Sequence, residues 1–596
     1  MSWQFSGASP ASSATSIDKW HRFRAVVLLT VMLSGFTGLA IRLFYVQILD
    51  HNKYVAMARS QQVMERPIMA RRGGFFDRLS RPICVSVPVK SIYIIPSEVE
   101  VDKIELVAFA LSRTLHVDQT ELQNGMLRRW DKQFMWAKRL VTEDEAVQVQ
   151  RLGFKGVALT TEYRRTSPQG PLAPHIIGHV NVDEQGQEGL EAVLDRDLRG
   201  MDGFERLPCD GLRRPIFGEE ARFKPVVHGS DVRLTIDSEL QRIAADEADE
   251  IVKAYNPVAV VIIVMETKTG RILALENRPT YNPSFPARLT EPSARLNRAV
   301  CAVYEPGSIF KPFVMAAYLD AHLGTPADRM YCENGLYKYR GRSIHDVHRY
   351  GWLTISEVIE KSSNIGMAKV GLELGASRIY PTITGFGFGK PTGSGLPGEL
   401  GGLMTPFKSW SYYTVTSVPM GQEIAATPLQ LVTAFNTIAN GGVWVKPQVI
   451  DGITDSDGKV LYEYDGQGPS RRVISRETAR TLIDPMMTGV VLRGTGKSAN
   501  FGEYPKFGKT GTAQKADAKG GFSSTRHVSS FLCGAPVDDP RISVLVLVDE
   551  PRKGPSHYGG TVSAPPAARI AEKTLKYLGV PAPKGVEGAV AQRRDL

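Results

Sequence analysis

Ser308 and Lys311, in the stretch VYEPGSIFKPFVM, are spaced so that one helical face would present a hydroxyl and an amine within reach of each other. That pairing is what a serine nucleophile with an amine base requires. Pro306-Gly307 signals a turn just ahead of the serine and would set Ser308 in the first turn of a helix, where unpaired backbone N–H groups favour developing negative charge. The same four-residue pattern recurs at Ser16 to Lys19 and Ser456 to Lys459, so the pair by itself decides nothing. Acyl transfer needs three more things: polar groups that hold the amine and relay protons, a cation for a substrate carboxylate, and a second oxyanion N–H. Ser362 and Asn364 in EKSSNIG supply candidates for the first, and Lys509, Thr510, Gly511 and Thr512 in FGKTGTAQK for the others.

Each of these segments has a decoy. Lys268-Thr269-Gly270 lies between two apolar runs, PVAVVIIVME and RILALEN, and reads as the turn of a hairpin. Ser498-Ala499-Asn500 lies in the Gly-rich loop RGTGKSANFG, which fails the phosphate-loop pattern because position 491 is Val. Around the candidates, PVAVVIIVME (257–266) and RISVLVLVDE (541–550) read as fully buried strands, SELQRIAADEADEIVKAY as a helix and ARIAEKTLKYL (568–578) as an amphipathic helix. Residues 302–492 read as mostly helical with Gly-rich interruptions. The second half is therefore expected to be a sheet built from both ends of the segment around a helical middle. Before it, residues up to about 223 mix strand-like runs such as SIYIIP with helical ones such as EDEAVQVQRLG, as an extended module would.

The ordered trio Ser308-x-x-Lys311, Ser362-x-Asn364 and Lys509-Thr510-Gly511-Thr512 resembles the signature motifs of penicillin-binding proteins and serine β-lactamases. The blocks LNRAVCAVYEPGSIFKP, SIHDVHRYGWLTISEVIEKSSNIG, PMGQEIAATPLQLVTAFNTIANGG and EPRKGPSHYGGTVSAPPAARI are similar in order to the class B members, and among them to the septal, FtsI-like D,D-transpeptidases. RRGGFFDR (71–78), HIIGHV and GQEGLE resemble the same family's pedestal, although Leu79-Ser80 stands where that family usually has Asn-Gly. The resemblance implies an α+β chain: a tail at 1–24, a transmembrane helix at 25–47, an extended mixed α/β pedestal (dimerisation-type) domain at 48–228, a penicillin-binding transpeptidase domain at 229–582 with an antiparallel sheet flanked by helices and a helical subdomain, and a flexible tail at 583–596.

It further implies that Ser308 attacks the carbonyl between the terminal D-alanines of a peptidoglycan stem peptide and that an amine of a second stem resolves the acyl-enzyme. Lys311 would be the base if burial and a second cation such as Lys509 lower its pKa. Ser362 and Asn364 would relay protons and orient the amide, while Lys509, Thr510 and Thr512 would hold the terminal carboxylate. The N–H groups of Ser308 and Thr512 would form the oxyanion hole, Gly511 would leave room for substrate along its strand, and β-lactams would acylate Ser308. No cofactor or metal is implied, and the partners would be stem peptides, a lipid-linked glycan polymerase of the membrane and other division proteins. An elongation-type transpeptidase, a membrane-tethered β-lactamase or carboxypeptidase, and a non-catalytic scaffold are the alternatives; for the hydrolases, the candidate carboxylates after Asn364 are Glu373 and Glu399, and a deacylation base is not evident.

The composition limits other classes. A net charge of +10 spread over 72 Lys+Arg and 62 Asp+Glu, with no interleaving of basic and aromatic residues, gives no nucleic-acid surface. Cys84, Cys209, Cys301, Cys332 and Cys533 are widely spaced without CxxC pairs, so neither zinc nor a disulfide framework is indicated. His345 and His348 in HDVH lack a third ligand nearby. AVVLLTVMLSGFTGLAI (25–41) carries no charge, and with Arg42 snorkelling the apolar stretch reaches Leu49. Lys19, Arg22 and Arg24 precede it, so the tail is expected in the cytoplasm and the bulk of the chain in the periplasm or exterior, anchored by one pass in the inner membrane. Gly38-Leu39-Ala40 offers the rival of a cleaved signal peptide.

Overall fold

The computed structural model describes residues 14–209, 222–284, 290–517 and 521–583. The outermost parts of the two expected tails, 1–13 and 584–596, lie outside the described residues. The described chain packs as two units, one drawn from residues 1–69 and 202–226, the other from 70–201 and 227–596.

The first unit carries a helix, Ala14–Phe44, that runs on through a wider turn at Tyr45–Leu49. Its stretch Lys19–Leu49 is apolar, with none of it buried within the unit, and its 31 residues make it long and apolar enough to cross a membrane. At 1.5 Å per residue that is roughly 45 Å, more than a ~30 Å hydrocarbon core. Antiparallel strands Val63–Ile68, Gly203–Pro208 and Arg222–Lys224 form a sheet in the same unit.

The second unit holds a five-stranded antiparallel sheet of β1 (Ala259–Glu266), β2 (Ile272–Arg278), β3 (Phe507–Ala516), β4 (Phe522–Ala535) and β5 (Ile542–Asp549), in the order β2-β1-β5-β4-β3. Thr267 to Gly270 close the β1–β2 hairpin, with Gly270 at φ +72°. The runs in β1 and β5 are continuous because both faces are covered: Val260, Ile262 and Val264 share one cluster with Val544, Val546 and Val548, while Val261, Ile263, Leu545 and Leu547 belong to another. Helices α1 (Ser238–Tyr255) and α6 (Ala564–Tyr577) close the first face through Leu240, Ala244, Ile570 and Ala571. On the opposite face α2 (Lys311–Asp320) and α5 (Pro428–Ala439) contribute Phe313, Leu431 and Phe435. Each fully buried Val, Leu or Phe of this kind stabilises the fold by about 1.5–3 kcal/mol.

Between β2 and β3 the chain is helical, as read from its periodicity, but short antiparallel strand pairs interrupt it. They join Arg329–Tyr331 to Trp352–Thr354, Leu336–Tyr339 to Arg342–His345, Leu403–Met404 to Ile424–Ala425, and Val443–Val445 to Ser470–Arg472. Runs of two to four residues are too short to show a period. Among the helices, α3 (Ile355–Glu360) begins in a reciprocal Thr354–Glu357 cap, and α4 (Asn364–Leu374) begins with Ser363 accepting the N–H of Gly366.

Upstream, the long strand Pro82–Ile94 pairs with Val157–Thr166 over ten residues and extends, through Phe75–Phe76, into a sheet shared with Asp231–Leu234 and Ile450–Thr454. RRGGFFDR anchors this region. Arg72, buried, donates to Glu191 and Asp195 at 2.7 Å each, and Arg78 and Arg81 donate to Asp237, the cap of α1, at 2.7 and 2.9 Å. The departure at Leu79-Ser80 falls in a turn closed by Asp77 and Arg81, with Ser80 at φ +61°. His175 Nε2 donates to Ala294 O at 2.8 Å and Tyr281 OH donates to Pro174 O at 3.0 Å, tying this region to the loop before Ser308. Cys84, Cys301, Cys332 and Cys533 are free thiols.

Candidate active site

Ser308 lies in a tight turn, Gly307–Phe310, that leads directly into α2 with Lys311 as its first residue. The turn is fixed from below. Ile309 and Phe310 are fully buried, with the Phe310 ring 5.5 Å from that of Phe313 and 4.9 Å from that of Phe388. It is fixed from the side by glycine: Gly307 has φ +55°, and a Cβ on Gly421 would fall 2.1 Å from Gly307 O.

Strand β3 passes the other flank of this turn at the edge of the sheet. A Cβ on Gly511 would lie 2.4 Å from Ser530 Oγ and 2.9 Å from Ile309 Cγ2, so glycine here lets the strand press against the Ser308 turn. Lys509 and Gly511 are turned toward the interior, while Thr510 and Thr512 line the cavity in front of Ser308. Thr510 Oγ1 bonds Thr495 Oγ1 at 2.6 Å, and Thr512 Oγ1 accepts the N–H of Gly559 at 3.0 Å.

Four of the sequence-predicted residues form one hydrogen-bonded cluster. Lys311 Nζ donates to Ser362 O (2.6 Å), Asn364 Oδ1 (2.8 Å) and Ser362 Oγ (3.2 Å). Lys509 Nζ donates to the same Ser362 Oγ at 2.9 Å and to Thr510 O at 3.1 Å. Ser362 sits between α3 and α4 at φ +61°, a left-handed kink that turns its hydroxyl toward both lysines. Ser308, Ser362, Asn364, Thr510 and Thr512 line one cavity of about 730 Å³.

Both amines are buried without a full counter-charge. Burial lowers Lys311 to about 7, with Asp346 pulling the other way, and burial followed by the charge of Lys311 holds Lys509 well below its ordinary range. Sequence reasoning placed Lys509 against a substrate carboxylate. In the structure its side chain is fully buried behind Ser362, and among the described residues the lysines on the cavity wall are Lys361 and Lys497.

Two features escaped sequence reasoning. Asp346, between the two histidines of HDVH, caps α4: its carboxylate takes the N–H groups of Asn364 and Ile365 and the hydroxyl of Ser363. His345 O accepts Asn364 Nδ2 at 2.9 Å, so this segment sets the Asn364 amide rather than pairing its histidines. The loop with Thr495, Lys497 and Ser498, which the sequence left without a role, forms part of the cavity wall, with Ser498 Oγ donating to Gly560 O.

A family model described as the penicillin binding protein transpeptidase domain matches residues 260–572, and one described as the penicillin-binding protein dimerisation domain matches residues 67–234. The probable peptidoglycan D,D-transpeptidase PenA of Neisseria meningitidis is 30% identical over 559 residues, 94% of this chain and 93% of that protein. The peptidoglycan D,D-transpeptidase FtsI of Escherichia coli K12 is 30% identical over 565 residues, 94% of this chain and 92% of its own length. Among solved structures, penicillin binding protein 3 of Mycobacterium tuberculosis complexed with ampicillin is similar at a TM-score of 0.69 and 26% identity, over 87% of this chain and 98% of that one.

Proposed function

The chain belongs to the class B penicillin-binding proteins, the peptidoglycan D,D-transpeptidases, and from that premise we propose that it crosslinks stem peptides in septal wall synthesis through an acyl-enzyme on Ser308. The observation that carries this reading is the convergence of Lys311, Ser362, Asn364 and Lys509 on one hydrogen-bonded cluster, of which Ser362 and Asn364 line the Ser308 cavity. The septal assignment rests on the resemblance around YEPGS and on relatives named FtsI and PenA.

A neutral Lys311 has two hydrogens, which Ser362 O and Asn364 Oδ1 take, and one lone pair left for a hydroxyl. In the first half-reaction the Ser308 Oγ–carbonyl bond forms and the amide C–N bond breaks. The serine proton passes to Lys311 and, through Ser362 Oγ, to the departing D-alanine amine. In the second, an acceptor amine bonds to the carbonyl carbon, the C–Oγ bond breaks, and a proton returns to Ser308. The hydroxyls of Thr510 and Thr512 hold the donor carboxylate, with the Lys509 amine behind them. Strand β3 has a partner on one side only, which leaves backbone groups for the substrate and, with the N–H groups of Ser308 and Thr512, for the oxyanion. The helix at 19–49 serves as a single anchor, with Lys19, Arg22 and Arg24 ahead of its uncharged stretch 25–41 on the cytoplasmic side and the catalytic region outside.

Incubation of the full-length protein with a labelled penicillin, peptide mapping by mass spectrometry and a crosslinking assay on stem peptides test the reading together. Persistent label on Ser308 with a dimeric product is expected. Rapid loss of label with hydrolysed drug would assign a β-lactamase, and no label would leave a scaffold.

A further inference from the structure

Two cavities meet beside Ser308. The reaction cavity and a second groove of about 710 Å³ share Glu305, Ala513 and Gln514 in their walls. The groove runs between β3 and the strand pair Leu403–Met404 with Ile424–Ala425, and its apolar lining includes Tyr304, Met404 and Ile424.

Among the described residues three charged side chains face this groove: Glu305, Glu423 and Lys515. The Lys515 ammonium is already held by Asp549 at 3.0 Å and Glu550 at 2.7 Å. Glu305 and Glu423 are neighbours, because Glu305 Oε1 accepts the backbone N–H of Glu423 at 3.2 Å. Among the described residues no cationic side chain forms an ion pair with either. Burial, and then the adjacent Glu423 charge against that hydrogen bond, holds the Glu305 carboxyl above its usual range. Glu423 also occupies φ +58°, a left-handed conformation that costs an ordinary residue about 1–2 kcal/mol and a glycine nothing. Glu305 at the junction of the two cavities and Glu423 in the groove are like charges in each other's field, and a cation placed between them relieves both.

We propose that the second groove receives the amine-bearing acceptor strand, with its ammonium held between Glu305 and Glu423 until it releases one proton to solvent and the neutral amine passes Ala513 and Gln514 to the acyl-enzyme. This rests on the transpeptidase reading given above. It gives the two substrates opposite electrostatic addresses. The donor presents a carboxylate to Thr510 and Thr512, and the acceptor presents an ammonium to the two glutamates, so neither strand is drawn into the other's place.

The test uses full-length protein, an acyl-D-alanine thioester as donor, and a stem tetrapeptide with a free side-chain amine as acceptor. The readout is the ratio of aminolysis to hydrolysis per acyl-enzyme formed. Glu423→Gly should fold at least as well as the parent and raise the half-saturating acceptor concentration roughly tenfold, as loss of a charge-assisted contact does. Raising salt from about 50 to 500 mM should weaken acceptor use by the parent and leave the variant nearly unchanged. Glu305→Gln should move the ratio in the same direction. A parent enzyme that aminolyses normally, with a ratio indifferent to Glu423→Gly and to salt, overturns the acceptor groove alone. A parent never acylated on Ser308 overturns the transpeptidase reading and the groove with it.

Discussion

Lys311 and Lys509 meet at a single oxygen: Ser362 Oγ accepts from the first at 3.2 Å and from the second at 2.9 Å. Two amines on one hydroxyl in a buried cluster cannot both stay charged cheaply, and burial brings Lys311 to about 7. The sign of the pH effect follows. In the proposed mechanism Lys311 is the base and works only when neutral, so the second-order rate of Ser308 acylation by a penicillin should climb about tenfold per pH unit below the limb and level off above about 7. Stopped-flow acylation between about pH 5.5 and 9 checks this. A rate independent of pH through that range would remove Lys311 from the role of base.

Asp346 is tied to the same cluster from behind. It satisfies the first N–H groups of α4 and is the charge that pulls Lys311 upward. Asp346→Asn should therefore shift the acid limb of acylation to lower pH and cost about 1 kcal/mol of stability through the weakened cap. A limb that stays in place while the melting temperature falls would restrict Asp346 to capping.

Gly511 tests how closely strand and turn are fitted. An alanine Cβ there would meet Ser530 Oγ at 2.4 Å and Ile309 Cγ2 at 2.9 Å. Overpacking of that kind costs about 1–3 kcal/mol, and a displacement of the nucleophile near 1 Å costs about a hundredfold in rate. Gly511→Ala should show both losses, in melting temperature and in penicillin labelling. Normal labelling would mean that strand and turn part without harm.

These residues also mark how far the sequence was legible. The strands β1 and β5, the helices α1 and α6 and the hairpin at 267–270 announce themselves, because burial on both faces gives unbroken apolar runs and a helix repeats every 3.6 residues. The active-site cluster is legible only as three short motifs in order. Asp346 and the 495–498 loop were not, since a carboxylate reaching a helix N-terminus from a neighbouring strand pair leaves no periodic trace in its own segment. The orientation of Lys509 is not written in its motif either, for a different reason. Alternation along β3 says that residues 509 and 510 face opposite ways, and only the packing of the Ser308 turn against Gly511 decides which of them faces inward.

His175 gives a pH effect on stability. It is buried against Ala294, and burial lowers its pKa from 6.5 to about 4. In the unfolded chain the ring gains its proton as pH falls through about 6.5, in the folded chain only near 4. The stabilisation is therefore complete above 6.5 and lost progressively toward 4, by about 3 kcal/mol in all. Melting temperature measured from pH 7 to 4.5 should fall, and His175→Asn should flatten that part of the curve. An identical slope in the variant would place the acid sensitivity elsewhere.

Ser80 offers a change in the opposite direction. It stands at φ +61° in the turn between Asp77 and Arg81, where the partly exposed Arg81 pairs with buried Asp77 and also reaches Asp237. A serine there bears left-handed strain that a glycine escapes, while glycine adds entropy to the unfolded chain; the first effect, about 1–2 kcal/mol, exceeds the second, about 0.5–1 kcal/mol. Ser80→Gly should thus stabilise the protein by several tenths of a kcal/mol or more, read as a higher urea midpoint at unchanged slope. The ion pairs around Asp77 and Asp237 constrain the same turn, so a lower midpoint would mean that those contacts, rather than the backbone of residue 80, set its conformational cost.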